Sequence, residues 1–201
     1  MRSPSRAASS RAALLCLLAV GVATACSLPA LVTGERPPAA LTQIPAPAAI
    51  PSPVPTQAVG AAPNRTTIKW LLYDAATRHG VNPGLVMAVA WWESGWNQAQ
   101  VSGAGAVGIM QVEPETAATA APLLLHRSAD VHDLRDNIEL GTAILREDLD
   151  RYPGDLAKGL EAYYAGPPAV REWKDLDGQA RSYVLGVYGL AVQFDEGHGP
   201  A

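Results

Sequence analysis

The distribution of proline divides this 201-residue chain into two parts, and the second part is the one that can build a packed core. Ten of the 17 prolines fall in residues 1–64. Proline fixes φ and removes a backbone N–H donor, so closely spaced prolines exclude both helix and sheet. We therefore expect residues 26–64, which are rich in alanine and proline, to form an extended tether. A single folded domain is expected over residues 65–201.

The N-terminal segment, residues 1–25, has the pattern of an export signal. Three arginines within the first 11 residues precede an uncharged apolar run at residues 12–22, and Ala23, Thr24 and Ala25 then form a small-x-small cleavage site. The apolar run is shorter than the ~20 residues that a membrane-spanning helix needs. The sequence therefore favours a cleaved signal over a permanent anchor helix.

Cleavage after Ala25 would leave Cys26 as the first residue of the mature protein. Cys16 would be removed with the signal, so no internal disulfide could form. The segment resembles a bacterial lipoprotein signal, in which the cysteine after the cleavage site is acylated. The resemblance implies an exported lipoprotein that is anchored to a membrane through lipid on Cys26 and faces the periplasm or cell wall. Ordinary secretion with a free thiol is the alternative.

The charge balance argues against a nucleic-acid partner. The whole chain has a formal net charge of −4, and residues 65–201 carry 11 basic against 18 acidic side chains, a net charge of −7. A protein that binds phosphate backbones normally has a basic face. An acidic domain is also repelled by anionic surfaces, whereas a neutral or cationic partner remains compatible with this charge.

Apolar residues after position 65 recur at intervals of three and four, and no convincing segment alternates, so the domain is predicted to be mainly α. Glycines are too frequent in residues 94–108 for a helix interior, which predicts a long loop there. The first expected helix ends at Gly80, and the second runs from Pro83 toward Glu93 with Asn82 as its N-cap. A short third helix is expected to start at Pro114 and to be broken by Pro122. Three later helices are expected over residues 136–152, 155–165 and 179–194.

Glu93 is the first candidate for chemistry. It directly follows two tryptophans at the end of an apolar helix and precedes the glycine-rich loop. Desolvation raises the pKa of a carboxyl group, and a glutamate that is protonated near neutral pH can act as a general acid. The alternative is an ordinary helix-terminal glutamate, solvated or paired with a cation.

Glu93 belongs to the first of several blocks of residues that follow one another along the chain. They are Glu93-Ser94-Gly95; residues 101–106 and 108–111; Pro114 with Thr116-Ala117; Asp133, Asn137-Ile138 and Gly141; Ala162-Tyr163 and Ala165-Gly166; and Tyr183-Val184 with Val187. Together they resemble the catalytic domain of the soluble lytic transglycosylases, from about residue 68 to 190. The resemblance implies a mainly α, lysozyme-like fold of the kind that goose-type lysozymes share.

The resemblance also implies an activity, namely cleavage of the β-1,4 bond between N-acetylmuramic acid and N-acetylglucosamine in peptidoglycan. Glu93 would protonate the glycosidic oxygen and then take a proton from the muramoyl 6-hydroxyl, which closes into a 1,6-anhydro sugar. A nucleophile held within the substrate has a high effective molarity, so a second carboxylate is not obligatory. No metal or other cofactor is implied, and the enzyme would act as a monomer on glycan strands.

Other site residues carry over where positions match the family pattern. Ser102, Met110 and Gln111 would line the groove beside the catalytic glutamate, Tyr163 would lie near its carboxyl, and Tyr183 would belong to the same wall. Each has a structural alternative. Met110 could fill the core, Gln111 could satisfy loop backbone, and Tyr163 could be a buried aromatic with a hydrogen-bonded hydroxyl.

Two departures from the family pattern bear on the reaction. Tyr164 stands where the family usually has asparagine. Glu113 stands where many relatives have an apolar residue but goose-type lysozymes carry an aspartate, so it could activate water and give hydrolysis instead of an anhydro product. Ordinary helix-start charge is the alternative for Glu113. A non-catalytic glycan-binding lipoprotein is the competing function from another class.

Two weaker groups complete the candidates. The histidines and aspartates of residues 126–133 match no standard zinc spacing, so no metal site is predicted. Trp70, Trp96 and Trp173 could stack on sugar faces, with core packing as the default for each.

Overall fold

The structure is a computed structural model that describes residues 63–200, so the predicted export signal, Cys26 and nearly all of the tether lie outside the described residues. Within this range the helices are α1 (Arg65–His79), α2 (Pro83–Ser94), α3 (Pro114–Leu124), α4 (Leu134–Arg151), α5 (Leu156–Ala165) and α6 (Gly178–Asp195). Two short 3₁₀ helices, Pro167–Ala169 and Trp173–Asp175, join α5 to α6. The prediction of a mainly α domain is confirmed.

Local capping signals set the ends of the first two helices. The Asn64 side chain accepts a hydrogen bond from the Thr67 N–H at 2.9 Å and begins α1. Asn82 does the same for the Leu85 N–H at 2.7 Å and begins α2. Gly80 then ends α1 in the left-handed region, with φ of 64°. Asparagine is a strong N-cap and glycine adopts positive φ at little cost, so these boundaries were readable from sequence.

The expected break at Pro122 is wrong, because α3 continues through this proline to Leu124. Proline lacks the N–H that would bond to the carbonyl of Ala118 one turn earlier. Ala118 and Pro122 both lie on the exposed side of the helix, where water can satisfy that carbonyl. The Leu125 N–H still bonds to the Ala121 carbonyl at 2.8 Å, so the final turn closes.

Helix α2 forms the centre of the domain. All residues from Pro83 to Ala90 are buried, and α2 packs against both α1 and α6. A helix that is apolar on every side is stable only when surrounded by protein. The last turn of α2 emerges from this core, so a side chain there is held on a rigid support. No helix in residues 63–200 combines the length and the apolar character needed to span a membrane.

Helix α4 fixes the long loop that follows α2. The fully buried Asn137 accepts a hydrogen bond from the Met110 N–H at 2.8 Å and donates to the carbonyls of Val107 (2.8 Å) and Val131 (3.0 Å). A Cβ added at Gly141 would lie 2.4 Å from the Cβ of Met110, so glycine is required for this approach. Buried and fully paired amide groups of this kind fix one loop conformation.

Candidate active site

Glu93 occupies the last turn of α2, where the helix meets the glycine-rich loop. The next residue, Ser94, ends the helix, and its hydroxyl lies 2.9 Å from the Ile109 carbonyl and 3.2 Å from the Ala90 carbonyl. Gly95 follows in the left-handed region with φ of 61°. This arrangement ties the end of the central helix to the far side of the loop and fixes the backbone that carries Glu93.

The Glu93 carboxyl group is enclosed by protein and receives a hydrogen bond from a tyrosine. Its Oε1 accepts a hydrogen bond from the Tyr183 hydroxyl at 2.9 Å. The side chain as a whole keeps some exposed surface, yet desolvation of the carboxyl group raises the pKa of Glu93 to about 7, against a smaller lowering by the Tyr183 hydrogen bond. At neutral pH, therefore, both the acid and its conjugate base are well populated, which suits two successive proton transfers.

Tyr183 belongs to α6 and is 1% exposed. Burial, followed by the charge of Glu93, raises the pKa of Tyr183 well above its usual value, so its hydroxyl stays protonated and donates to the carboxyl. The ring of Tyr164 stacks on Tyr183 with centroids 4.7 Å apart, and Trp92 meets it edge-on at 6.2 Å. Two aromatic side chains thus hold the tyrosine that contacts Glu93.

Tyr163 takes a different place beside this cluster. Its hydroxyl donates to the carbonyl of Met110 at 2.8 Å, which connects α5 to the loop after α2. The charge interaction between Tyr163 and Tyr183 contributes to the raised pKa of Tyr183, so the two side chains are neighbours. The predicted substrate contact of Tyr163 stays a prediction.

The three loop residues expected to line the groove have clear structural roles. The Ser102 hydroxyl accepts the Ala106 N–H at 3.0 Å and closes a tight turn. Met110 has no exposed surface, which is the core-filling position that the sequence left open. The Gln111 amide donates to the Gly108 carbonyl at 2.9 Å, so it satisfies loop backbone. Their contact with substrate stays a prediction.

Gln111 also has an unusual backbone. Its φ of 48° places a non-glycine residue in the left-handed region. Such a conformation costs free energy, persists where surrounding contacts enforce it, and is found disproportionately at functional sites. The enforcing contacts here are the side-chain bond to Gly108 and the paired backbone of Val107 and Val112, at 3.0 Å in each direction.

Glu113 lies at the N-cap position of α3, is half-buried, and makes no side-chain capping hydrogen bond. This is the helix-start position that the structural alternative requires. Its predicted role as a second base stays a prediction. Within the described part of the chain, no group of three or more histidine, cysteine, aspartate or glutamate side chains is arranged to hold a metal ion.

Core packing, the default expected for the three tryptophans named from sequence, agrees with the structure. Trp96 and Trp173 are 5% and 4% exposed, so they pack in the core, and Trp70 is half-buried against it. Sequence reasoning did not single out Trp92, which is 37% exposed, and did not pair Tyr164 with Tyr183. The signal available for Trp92 was its position directly before Glu93.

Comparison with known proteins defines the class of this domain. The transglycosylase SLT domain family matches residues 71–185, more than half of the chain, so the protein belongs to this family. The sequence-based resemblance is therefore confirmed. The fold prediction is confirmed as well, since 65% of the chain superposes on the X-ray structure of lytic transglycosylase Slt from Pseudomonas aeruginosa with a TM-score of 0.56 and 27% identity.

Individual relatives are longer proteins, and this chain matches only part of each. The transglycosylase of Enterobacteria phage PRD1 is 39% identical over 92 residues, which are 46% of this chain and 32% of the phage protein. A putative soluble lytic murein transglycosylase of Haemophilus influenzae is 35% identical over 105 residues, which are 50% of this chain and 18% of that protein. The Pseudomonas structure, an inactive glutamate-to-glutamine mutant, is covered to 24%. The chain thus spans about a third or less of these relatives.

Proposed function

We propose that this protein is a peptidoglycan lytic transglycosylase in which Glu93 is the single acid and base. The observation that carries the proposal is the enclosed Glu93 carboxyl, with its pKa of about 7 and its hydrogen bond from Tyr183, at the end of the central helix of an SLT domain. The name of the Haemophilus influenzae relative, a putative soluble lytic murein transglycosylase, supports the substrate. The Pseudomonas enzyme, inactive as a glutamate-to-glutamine mutant, supports a catalytic glutamate.

The first proton transfer uses the protonated form of Glu93. The carboxyl group gives its proton to the oxygen that links N-acetylmuramic acid to N-acetylglucosamine, and the bond between that oxygen and the muramoyl C1 breaks. Because Oε1 accepts from Tyr183, we assign the transferred proton to Oε2. The Tyr183 hydroxyl then stabilises the carboxylate that this step creates, since hydrogen bonds to an ionised group are strong.

The second transfer returns the proton to Glu93. The muramoyl 6-hydroxyl attacks C1 of the same sugar, its proton passes to the Glu93 carboxylate, and a C1–O6 bond closes the 1,6-anhydro ring. No water is consumed, and the enzyme regains its starting protonation state. Because the nucleophile is already part of the bound substrate, ring closure has the advantage of an intramolecular reaction.

Glu93→Gln and Glu113→Gln test this proposal together with product masses. Glutamine keeps the shape of Glu93 but cannot transfer a proton, so lysis of purified cell walls should fall by at least ~10²-fold. Wild-type muropeptides should weigh one water less than lysozyme products, and Glu113→Gln should leave the anhydro form as the main product. Reducing-end products that disappear in Glu113→Gln would instead establish a goose-type muramidase. Full activity of Glu93→Gln would refute the catalytic role of Glu93. A wild-type protein that binds cell walls without cleaving them would refute the proposed enzymatic activity.

We further propose that the protein is exported and anchored through an acylated Cys26, with residues 27–64 as a tether. At ~3 Å per residue such a segment reaches on the order of 100 Å. The small residues before Cys26 and the proline content after it support the proposal. Intact mass of membrane-fraction protein should show the lipid, and Cys26→Ser should lose it and become soluble. Recovery of wild-type protein only in soluble form, with a free thiol, would contradict the anchor.

A further inference from the structure

Trp92 is the exposed member of the tryptophans, all five of which fall in residues 63–200. Its exposed fraction is 37%, and it directly precedes Glu93 at the end of α2. The neighbouring Trp91 is half-buried, with the Arg65 guanidinium 4.8 Å above its ring and Trp96 against its edge. A large aromatic side chain that is exposed beside a candidate catalytic residue is available to contact a ligand bound there.

The structure holds the Trp92 indole in one place from two sides. A Cβ added at Gly186 of α6 would lie 1.9 Å from Cζ3 of the indole, so the ring rests on the α6 backbone where no side chain stands. Tyr183, one turn earlier on α6, meets the indole at an interplanar angle of 84°. Because both contacts come from α6, the remaining surface of the ring is presented to solvent in a fixed orientation.

This surface lies close to the carboxyl group that is proposed to do the chemistry. Tyr183 contacts both groups, since its ring packs on Trp92 with centroids 6.2 Å apart and its hydroxyl reaches Glu93 Oε1 at 2.9 Å. One tyrosine side chain therefore separates the exposed indole from the acid. The distance spanned by that one side chain is compatible with a ligand that has its reacting bond at Glu93 and an adjoining unit over Trp92.

We propose that Trp92 is a binding platform for a pyranose ring of an N-acetylhexosamine next to the bond that is cleaved. This inference rests on the proposed function and assigns a specific residue to substrate recognition. A pyranose ring presents an apolar face of C–H groups, and burying that face against an indole removes apolar surface from water. The contact needs no charge, which suits a domain whose net charge is −7. A ring that is already fixed also loses little entropy on binding.

A second role for Trp92 has to be separated from this one. The indole packs on Tyr183, so its loss could act indirectly by moving the hydroxyl that hydrogen-bonds to Glu93. Such an effect would alter the pKa of Glu93 and shift the pH profile of the reaction. Loss of a sugar platform would instead weaken binding and raise KM while leaving the pH profile in place.

The test measures binding of a soluble N-acetylglucosamine tetramer by calorimetry in the non-cleaving Glu93→Gln background. Trp92→Leu keeps apolar packing but removes the flat ring, and it should weaken binding about tenfold, whereas Trp92→Phe should keep most of it. Gly186→Ala places a methyl group where the Trp92 indole packs, so the indole must move. This substitution should weaken tetramer binding when Trp92 is present and have little further effect when it is combined with Trp92→Leu. Gly189→Ala is the control, because a Cβ there meets nothing within 4 Å.

The same substitutions in the active protein complete the test. With Glu93 intact, Trp92→Leu should raise KM on peptidoglycan with an unchanged pH profile, and circular dichroism should show the same melting behaviour. The proposed role of Trp92 as a sugar platform would be overturned if Trp92→Leu bound the tetramer as tightly as the protein with Trp92. It would also be overturned if the substitution shifted the pH profile without changing tetramer binding. If tetramer binding depends on Trp92 but the wild-type protein cleaves no peptidoglycan, the binding platform is supported and the proposed enzymatic function is refuted. Failure of the platform and failure of the proposed function therefore give different results.

Discussion

Two opposing effects act on the Glu93 carboxyl, and their balance decides what the residue can do. Enclosure by protein removes water and favours the neutral acid, while the Tyr183 hydroxyl favours the carboxylate. Desolvation is the larger effect, but the hydrogen bond limits it, and the resulting pKa of about 7 lies near neutral pH. A carboxyl without the tyrosine would hold its proton too tightly to give it up easily, and a solvated one would not be protonated.

Tyr183→Phe tests this balance at the level of one atom. The change keeps the ring and its stacking but removes the hydroxyl that lowers the pKa of Glu93, so that pKa should rise above about 7. Activity that depends on protonated Glu93 falls as pH rises through its pKa, so the alkaline limb of the pH–rate profile should move to higher pH. Tyr164→Phe removes a neighbouring hydroxyl and keeps the stacked ring, and it serves as control. An alkaline limb that stays in place or moves to lower pH contradicts the assignment.

Some of this site was predictable from local sequence and some was not. The sequence analysis expected a desolvated Glu93 from its position after an apolar helix and before a glycine-rich loop, and the carboxyl is desolvated in the structure. The contact with Tyr183 joins positions 90 residues apart, and Tyr183 entered the sequence analysis only through the family pattern. The packing of the Trp92 indole on Gly186 depends on how α2 and α6 are aligned along each other, and no local sequence signal determines that alignment.

At the scale of helices, the sequence predicts starts well because capping is local. The expected helix near residue 136 begins at Leu134, since the Asp133 carboxylate accepts the N–H groups of Arg135 and Asp136. The expected helix at residue 179 begins at Gly178 with Asp177 as its N-cap. The error at Pro122 has a different origin, because a proline on the exposed side of a helix near its end loses one hydrogen bond and leaves a carbonyl that solvent can reach.

The loop after α2 shows what helix patterns leave undetermined. Its glycine content predicted a loop correctly, but its shape depends on Asn137, a fully buried side chain of α4 that bonds to the backbone of Val107 and Met110. Burying an amide is favourable only when its hydrogen bonds are satisfied, and the two partners in the loop lie 27 and 30 residues away along the chain. Element type was therefore predictable, while the geometry that brings the loop toward Glu93 required the tertiary structure.

At the scale of the molecule, several carboxyl groups in residues 63–200 have raised pKa values, among them those of Glu93, Glu161 and Asp195. Desolvation raises the pKa of Glu93, of Glu161 against a smaller opposing effect of the Arg171 N–H, and of Asp195 against a hydrogen bond from Asn82. A carboxyl with a raised pKa in the folded state stabilises the fold at pH below its unfolded pKa, and this contribution is lost as pH rises through the folded pKa.

Glu139 behaves in the opposite way. Burial would raise its pKa, but hydrogen bonds and charge interactions with Arg78 and His79 lower it overall. A carboxyl with a lowered pKa contributes stability above its unfolded pKa, and this contribution is lost as pH falls through the folded pKa. The carboxyls with raised pKa values therefore have the opposite effect from Glu139, since they reduce folding stability as pH rises.

Folding stability is thus expected to decrease from pH 5 to pH 8, and Glu93 should account for much of the decrease. Its pKa rises from 4.5 to about 7, and at about 1.4 kcal/mol per pKa unit this corresponds to at most about 3 kcal/mol. Glutamine stays neutral at every pH, so Glu93→Gln should flatten the curve and be more stable than wild type at pH 8 but not at pH 4.5. Urea unfolding at several pH values measures both free energies. Parallel curves for the two proteins would show that Glu93 is ionised at little cost in the folded state, and its assignment as a general acid near neutral pH would then fail.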